Sequence, residues 1–175
     1  MRYKVTDHRL LTVAERRDIV ALCSRAYEEE CGEYFEVLDG GVHLLLYEGD
    51  RLVSHACWVD RALQQEGHEP LRTAYIEAVA TEVDARGKGY ATILMEAIAE
   101  RVKEYPLAAL SPADTTLYAR LGWLPWRGPL SVRTMQGIEP APDESAMVLL
   151  TPSTPAWLDL DAPLSCEWRA GPEQW

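Results

Sequence analysis

Residues 73–92, TAYIEAVATEVDARGKGYAT, decide the fold of this chain. The first part, Thr73–Val83, is rich in apolar and strand-forming residues, which predicts a β-strand. Gly87 and Gly89 then interrupt the pattern, and the apolar spacing that follows is typical of a helix running to about Glu104. Strand alternation would place Tyr75, Glu77, Val79 and Thr81 on one face. The apolar stripe of the helix consists of Ala91, Leu94, Met95, Ile98 and Val102.

The turn between this strand and helix has the features of a diphosphate site. Free N–H groups at the start of a helix, with the helix dipole behind them, attract anions, and Arg86 and Lys88 add positive charge. A P-loop would need GxxxxGK(S/T), which the sequence lacks. A dinucleotide loop would need GxGxxG or GxGxxA, and Thr92 takes the last place here. An ordinary turn is the plainer alternative.

The rest of the chain continues a mixed pattern of strands and helices. Residues 2–6 predict a first strand. Thr12 and Glu15 have the spacing of a capping box, which predicts an amphipathic helix from there to about Glu29. Further strands are predicted at Val42–Tyr47, Arg51–Val59 and Leu107–Leu110, and two or three more between Trp126 and Trp168.

A compact helix is predicted after the Leu107–Leu110 strand. Ser111 suits the N-cap, Pro112 the first helical position and Asp114 the acidic place of a capping box, while Gly122 would end the helix. The order of elements predicts an α/β fold (α+β mixed sheet), a central mixed β-sheet flanked by helices. No linker or repeat interrupts the chain, so we expect one domain over residues 1–175.

Composition narrows the class of partner. The net charge is -11 and no cluster of Lys and Arg is present, so we expect no nucleic acid. The sequence has neither an apolar run of about 20 residues nor a secretion signal, so we expect no membrane partner and a cytoplasmic protein. The four cysteines are scattered, which predicts reduced, buried thiols and no metal site. An acidic surface serves either solubility or attraction of a polycationic ligand.

Several motifs resemble one enzyme family. Arg86, Gly89 and Ala91 are similar to the Arg-x-x-Gly-x-Ala loop with which GNAT acetyltransferases hold the CoA pyrophosphate. Residues 75–80, 117–126 and 166–175 resemble the aminoglycoside 2'-N-acetyltransferases. That family shares a Y-V-E-A/G-V-A strand, an L-Y-x-x-x-G-W helix end and a C-D-W/F-R-x-G-D-x-W terminus. The resemblance runs from about residue 12 to the last residue and implies the GNAT acyl-CoA N-acyltransferase fold.

The resemblance also implies roles for single residues. Glu77 would accept the proton of the amine through water, Tyr118 would protonate the departing CoA thiolate, and the Val79 N–H would stabilise the oxyanion. The residues implied in acetyl-CoA binding are Val79, Ala80, Thr81, Arg86, Gly87, Lys88, Gly89, Tyr90 and Ala91. Those implied to contact the acceptor are Glu30, Glu33, Ala78, Ser111, Glu144, Glu173 and, through its carboxylate, Trp175.

The implied reaction is acetyl transfer from acetyl-CoA to an amino group, by analogy the 2' group, of an aminoglycoside or a kasugamycin-like antibiotic, giving resistance. A cationic aminosugar and a homodimer are the implied partners, with no metal. The acceptor half departs from the family, since its acidic G-D-F-x-x-D-W stretch is replaced by residues 28–35. The alternatives are a GNAT enzyme for another amine, such as a polyamine or a protein N-terminus, and a non-catalytic CoA- or drug-binding protein. For single residues, Glu77 as a structural carboxylate and Tyr118 as a core tyrosine are the plainer alternatives.

Overall fold

The computed structural model describes residues 2–171, 174 and 175. Strands and helices alternate along the described chain in the mixed order that the sequence predicts. The strands are β1 Arg2–Asp7, β2 Val42–Glu48, β3 Arg51–Gln65, β4 Leu71–Thr81, β5 Leu107–Leu110, β6 Leu124–Pro125, β7 Leu130–Thr134, β8 Gly137–Pro140, β9 Met147–Leu149 and β10 Leu164–Glu167. The α-helices are α1 Val13–Tyr27, α2 Gly32–Phe35, α3 Tyr90–Arg101 and α4 Thr116–Arg120.

The chain forms two compact units, and strands β3 and β4 run through both. The first unit comprises Met1–Val59 and Ile76–Ile98, and the second comprises Asp60–Tyr75 and Ala99–Trp175. In the first unit, β2 pairs antiparallel with β1 and with the first half of β3.

In the second unit the strand order is β6-β9-β5-β4-β3-β10-β7-β8. The pairs β4 with β5 and β10 with β7 are parallel, and the other registered pairs are antiparallel. The sheet is therefore mixed, which confirms the predicted fold class. A parallel pair needs a crossover, and α3 lies in the connection between β4 and β5.

Helix α1 begins where the sequence predicts. The Thr12 hydroxyl accepts the N–H of Glu15 at 3.2 Å, and the Glu15 carboxylate accepts the N–H of Thr12 at 2.9 Å. This reciprocal capping box satisfies two amides that the first turn cannot pair, and such a cap typically stabilises a helix by about 1 kcal/mol. The helix ends at Tyr27, and the next residue, Glu28, has a left-handed φ of +61°. Its buried residues are Ile19, Leu22 and Cys23.

Strand β4 and helix α3 confirm the predicted succession, with two corrections. The strand covers Leu71–Thr81 rather than Thr73–Val83, because Val83–Ala85 forms a 3-10 turn. Regular alternation also fails inside the strand, since Ala78 has a left-handed φ of +53°. Helix α3 ends at Arg101 instead of Glu104, and it buries the predicted stripe at Leu94, Met95 and Ile98.

The predicted start of the fourth helix at Ser111 is wrong. Helix α4 begins at Thr116, because the Asp114 carboxylate accepts the N–H of Thr116 at 2.8 Å and holds the chain in a turn before the helix. Between Trp126 and Trp168 the described residues contain four strands, β7 to β10, where two or three were predicted. The four cysteines are free thiols and buried, as predicted. None of the helices in the described residues has the length and apolar composition to cross a bilayer.

Three buried histidines form a continuous chain in the first unit. Nδ1 of His8 lies 3.0 Å from Nε2 of His43, and Nδ1 of His43 lies 2.9 Å from Nε2 of His55. At one end, Nδ1 of His55 lies 2.9 Å from the carbonyl oxygen of Ala78. At the other end, Nε2 of His8 lies 2.7 Å from Nη1 of Arg16. Every ring nitrogen of the chain is therefore within hydrogen-bond distance of a partner.

Burial keeps these histidines neutral. It lowers the pKa of His43 to about 2 and the pKa of His55 to about 4. The pKa of His8 is lowered first by burial and then by the positive charge of Arg16. A protonated imidazole would lose the acceptor that each link of the chain requires, so the neutral form is the one compatible with this packing.

We predict a loss of stability at acidic pH. Histidines in the unfolded chain titrate near pH 6.5, whereas the folded protein excludes these protons until the pH falls towards 4 for His55 and 2 for His43. Above pH 6.5 the effect is absent. Below it, each excluded proton lowers the free energy of unfolding by about 1.4 kcal/mol per pH unit. Urea unfolding at several values between pH 7.5 and 4.5 measures this slope.

The control for this prediction is the remaining histidine, His68, which does not belong to the chain of three histidines. Its ring stacks on that of Trp157, with the ring centroids 3.8 Å apart. The free energy of unfolding of His43→Gln should fall less steeply with decreasing pH than that of the wild type. The difference in slope should be about 1.4 kcal/mol per pH unit, the effect of one excluded proton. The variant His68→Phe, which retains an aromatic ring at the stack, should keep the slope of the wild type. Equal slopes for His43→Gln and the wild type would contradict the assignment of the excluded proton to His43.

Candidate active site

Glu77 is a buried carboxylate in strand β4, with 6% of its surface exposed. The hydroxyl of Tyr34, from α2, donates a short hydrogen bond to its Oε2 atom. A carboxylate is costly to bury unless it is paired or used, and this hydrogen bond satisfies part of it. The Tyr34 bond thus helps to fix the orientation of the Glu77 carboxylate inside the first unit.

The backbone after Glu77 departs from a regular strand. Ala78 adopts a φ of +53°, which is unfavourable for a residue with a Cβ. Side chains of β3 hold the carbonyl oxygens on either side of Val79. His55 reaches the carbonyl of Ala78, and the Ser54 hydroxyl donates to the carbonyl of Ala80 at 3.0 Å. The segment that the sequence assigns to thioester binding is therefore the irregular part of β4.

An ion-pair cluster braces the end of β4 before the glycine turn. Glu82 is buried and accepts a bidentate pair of bonds from Arg25 of α1, with Nη2 at 2.5 Å from Oε1. Arg51 lies 3.6 Å from the same carboxylate and forms a bidentate pair with Asp84 at 2.8 and 2.9 Å. Planar, bidentate pairs fix direction as well as charge, so the cluster sets where the turn begins.

The glycine turn leaves its backbone open to a ligand. Gly87 and Gly89 have φ values of +77° and +79°, and a Cβ built at either would meet no atom within 4 Å. Helix α3 follows at once, and its first amides lack intrahelical partners by geometry. Exposed amides at a helix start, with open space around them, fit the diphosphate of CoA.

The charged side chains of this turn are already engaged within the protein. Arg86 donates to the carbonyl of Ala26 at 2.9 Å and so ties the turn to the end of α1. Lys88 lies 3.3 Å from the Glu48 carboxylate, which also accepts a short hydrogen bond from the Tyr90 hydroxyl. The Arg86 and Lys88 side chains thus contact protein groups while they remain exposed at the surface.

Tyr118 lies in α4, which ends in a Schellman motif. The Gly122 N–H donates to the Ala119 carbonyl at 3.2 Å, and the Trp123 N–H donates to the Tyr118 carbonyl at 3.0 Å. The rings of Tyr118 and Trp123 then meet edge to face, with centroids 6.2 Å apart. Burial, and to a lesser degree the Asp114 carboxylate, raises the pKa of Tyr118 to about 12, so its hydroxyl keeps its proton at neutral pH.

The acidic residues expected to bind the acceptor are exposed. The Glu30 carboxylate accepts the N–H of Gly32 at 2.9 Å at the start of α2, and Glu33 is exposed on that helix. Glu144 is exposed in the connection between β8 and β9, and Ser111 is half-buried after β5. These positions leave the carboxylates of Glu30, Glu33 and Glu144 accessible to a cationic ligand.

The C-terminal segment is packed in the second unit. Trp175 is buried, with 4% of its surface exposed, and Glu173 lies outside the described residues. Arg61 is buried and donates to the carbonyls of Gln174 at 2.6 Å and of Glu167 at 2.9 Å. Arg61 thus connects β3 to the segment that carries the family's terminal motif.

Sequence reasoning missed the residues that support Glu77 and the strand beside it. Tyr34, His55 and Glu48 each contact a predicted site residue from a distant position in the chain. One signal was available, because histidines inside apolar strands are uncommon and need hydrogen-bond partners. In residues 2–171, 174 and 175, no group of three His, Cys, Asp or Glu is arranged to hold a metal ion.

Comparisons with known proteins agree with this geometry. Residues 7–125 match the family model of the acetyltransferase (GNAT) domain. An aminoglycoside 2'-N-acetyltransferase of Mycolicibacterium fortuitum is 39% identical over 138 residues, which are 75% of this chain and 70% of the relative.

Solved structures show the same fold. The GNAT family N-acetyltransferase YhbS from Escherichia coli, in complex with CoA, has a TM-score of 0.65 at 17% identity, over 97% of this chain and 91% of that one. A GCN5-related N-acetyltransferase from Kribbella flavida has a TM-score of 0.60 at 24% identity. The match covers 73% of this chain and spans only 34% of the Kribbella protein. The chain therefore belongs to the GNAT acetyltransferases and, within them, to the aminoglycoside 2'-N-acetyltransferase family.

Proposed function

We propose that this protein transfers the acetyl group of acetyl-CoA to an amino group of an aminoglycoside antibiotic and so inactivates it. The observation that carries the proposal is the buried Glu77, held by Tyr34 and followed directly by the left-handed Ala78. A buried carboxylate next to a strained backbone residue is a candidate general base, because active sites concentrate such groups.

Glu77 would remove the proton that keeps the acceptor amine unreactive. An ammonium has no lone pair with which to attack, whereas a carboxylate can take its proton directly or through one water molecule. Such a transfer typically contributes ~10²–10⁴-fold to the rate. Acetyl-CoA supplies the thioester carbonyl that the free amine attacks. The Tyr34 bond would keep the Glu77 carboxylate aimed at the amine or the water.

The backbone at Val79 would stabilise the oxyanion. The left-handed Ala78 changes the direction of the following peptide, and His55 and Ser54 hold the neighbouring carbonyls. Val79 itself is only half-buried. An N–H group fixed in this way before the reaction needs no reorganisation when charge develops on the thioester oxygen.

The acceptor is the less constrained partner. The net charge of -11 and the exposed Glu30, Glu33 and Glu144 would attract a polycation. The Mycolicibacterium fortuitum relative is an aminoglycoside 2'-N-acetyltransferase, which supports the 2' amino group as the target. We extend the proposal to binding of the acceptor by Ser111, Glu173 and the Trp175 carboxylate. We also propose that the protein acts as a homodimer in the cytoplasm. Sedimentation velocity measures whether the dimer forms.

The test of this function is turnover with a panel of amines. Acetyl-CoA is incubated with deoxystreptamine aminoglycosides, kasugamycin, polyamines and peptides with a free N-terminus, while the free thiol and the product mass are followed. We expect an acetylated aminoglycoside, with the position read by NMR, and loss of turnover in Glu77→Gln. Turnover of polyamines or peptides alone would show that the acceptor is not an aminoglycoside. Tight binding in calorimetry without any product would refute an enzyme.

Acetyl-CoA binding should depend on the conformation of Gly89. The variant Gly89→Ala forces a Cβ into a φ of +79° and distorts the amides of the turn, so we expect the Kd for acetyl-CoA to rise more than about 10-fold. The matched control is Gly67→Ala, because Gly67 has a φ of +81° and equally open surroundings in the turn after β3. Both variants should lose similar stability. Equal Kd values for the two would contradict the assignment of the turn to the diphosphate.

Tyr118 should act on the chemical step. The variant Tyr118→Phe keeps the ring that packs on Trp123 and removes only the hydroxyl. We expect kcat to fall roughly 10²-fold, because the CoA thiolate would leave without a proton, with the KM for acetyl-CoA nearly unchanged. Tyr3→Phe, at an exposed position of β1, serves as the control. An unchanged kcat in Tyr118→Phe would remove this hydroxyl from the mechanism.

A further inference from the structure

The chain of histidines ends on the backbone of the candidate active site. It runs from Arg16 through His8, His43 and His55 to the carbonyl of Ala78, which directly follows Glu77. All three histidines are buried, and none of them belongs to the motifs of the family resemblance. A buried polar chain of this length requires that every link be satisfied, because each unpaired member would be costly.

The direction of every hydrogen bond in the chain follows from its two ends. A guanidinium has only donors, so Arg16 donates to Nε2 of His8, which places the proton of His8 on Nδ1. That N–H donates to Nε2 of His43, and the same reasoning places the protons of His43 and His55 on Nδ1. The carbonyl at the far end can only accept, which agrees with a donor at Nδ1 of His55.

The carbonyl that receives this last bond belongs to the strained residue. Ala78 is buried and left-handed at a φ of +53°, a conformation that persists only where the surroundings hold it. Residues on both sides of it carry the proposed chemistry, Glu77 as base and the Val79 N–H as oxyanion donor. The Ala78 carbonyl and the Val79 N–H belong to one planar peptide, so a partner that fixes the carbonyl also fixes the direction of that N–H. Glu77 is joined directly to the same strained residue.

We propose that the chain Arg16–His8–His43–His55 positions the active-site backbone, and that His55 is a positioning residue for Glu77 and Val79. This inference rests on the proposed function. The chain does not serve as a route for the proton that Glu77 accepts, because it ends on a peptide carbonyl, which has no proton to pass on. Its neutral histidines act through fixed direction, as the lowered pKa values of His43 and His55 allow.

The first experiment replaces His55 by residues that keep or lose the donor to Ala78. In His55→Asn the side-chain amide occupies the place of Nδ1 and still reaches the carbonyl. In His55→Gln and His55→Phe that donor is lost. We expect kcat to fall roughly 10- to 100-fold in His55→Phe, with the KM for acetyl-CoA changed by less than about 3-fold, and to recover most of its value in His55→Asn. His68→Phe is the control outside the chain.

The second experiment measures the tautomers in the unmodified protein. Long-range ¹H–¹⁵N NMR spectra distinguish an imidazole with its proton on Nδ1 from one with its proton on Nε2. We expect the Nδ1–H form for His8, His43 and His55 at neutral pH. The assignment of the signals uses His43→Gln and His68→Phe. The Nε2–H form in any of the three histidines would contradict the proposed direction of these hydrogen bonds and overturn the proposal.

These outcomes separate the inference from the function on which it rests. If the unmodified protein acetylates no amine, the proposed function fails, whatever the tautomers are. If the unmodified protein is active and His55→Phe turns over at the same rate, the positioning role fails. Where His55→Phe does not fold, the comparison of His55→Asn with His55→Gln decides. Equal kcat values for these two variants would overturn the proposal.

Discussion

The structure of the candidate site depends on the left-handed conformation of Ala78 within strand β4. A regular strand would continue its alternation through this point, with backbone groups paired along the ladder. Here the Ala78 carbonyl is held by a histidine and the Ala80 carbonyl by a serine, both from β3. The cost of the strained alanine is offset because neighbouring side chains satisfy its peptide groups. The result is a short irregular piece of backbone between Glu77 and Thr81, two of whose carbonyls are held by side chains of β3.

The two sides of this irregular segment are braced by different interactions. Before it, the Glu77 carboxylate accepts a hydrogen bond from the Tyr34 hydroxyl. After it, Glu82 is locked between Arg25 and Arg51, which are ordinary structural ion pairs. Two buried carboxylates five positions apart therefore accept hydrogen bonds from a hydroxyl and from a guanidinium group, respectively. The glycine turn follows this second brace, and its Arg86 donates a hydrogen bond to the carbonyl of Ala26 near the end of α1.

Local signals predicted much of this fold correctly. The capping box at Thr12, the hairpin strands, the buried stripe of α3 and the glycine turn are all determined by residues within a few positions of one another. The fourth helix shows the limit of such signals, since Ser111 has good N-cap chemistry and Asp114 nevertheless captures the Thr116 amide first. Two local preferences competed, and their relative strength could not be predicted from the order of residues.

The sequence alone determined that a strand, a glycine turn and a helix follow one another, and its motifs indicated the family. Only the tertiary structure decided how the site is supported. His8 meets His43 across 35 residues, and Tyr34 meets Glu77 across 43 residues. Neither contact produces a periodic pattern in the sequence, because each depends on a single partner that only folding brings close. Hydrogen-bond partners at long separation are set by packing, whereas turns and caps are set by neighbours.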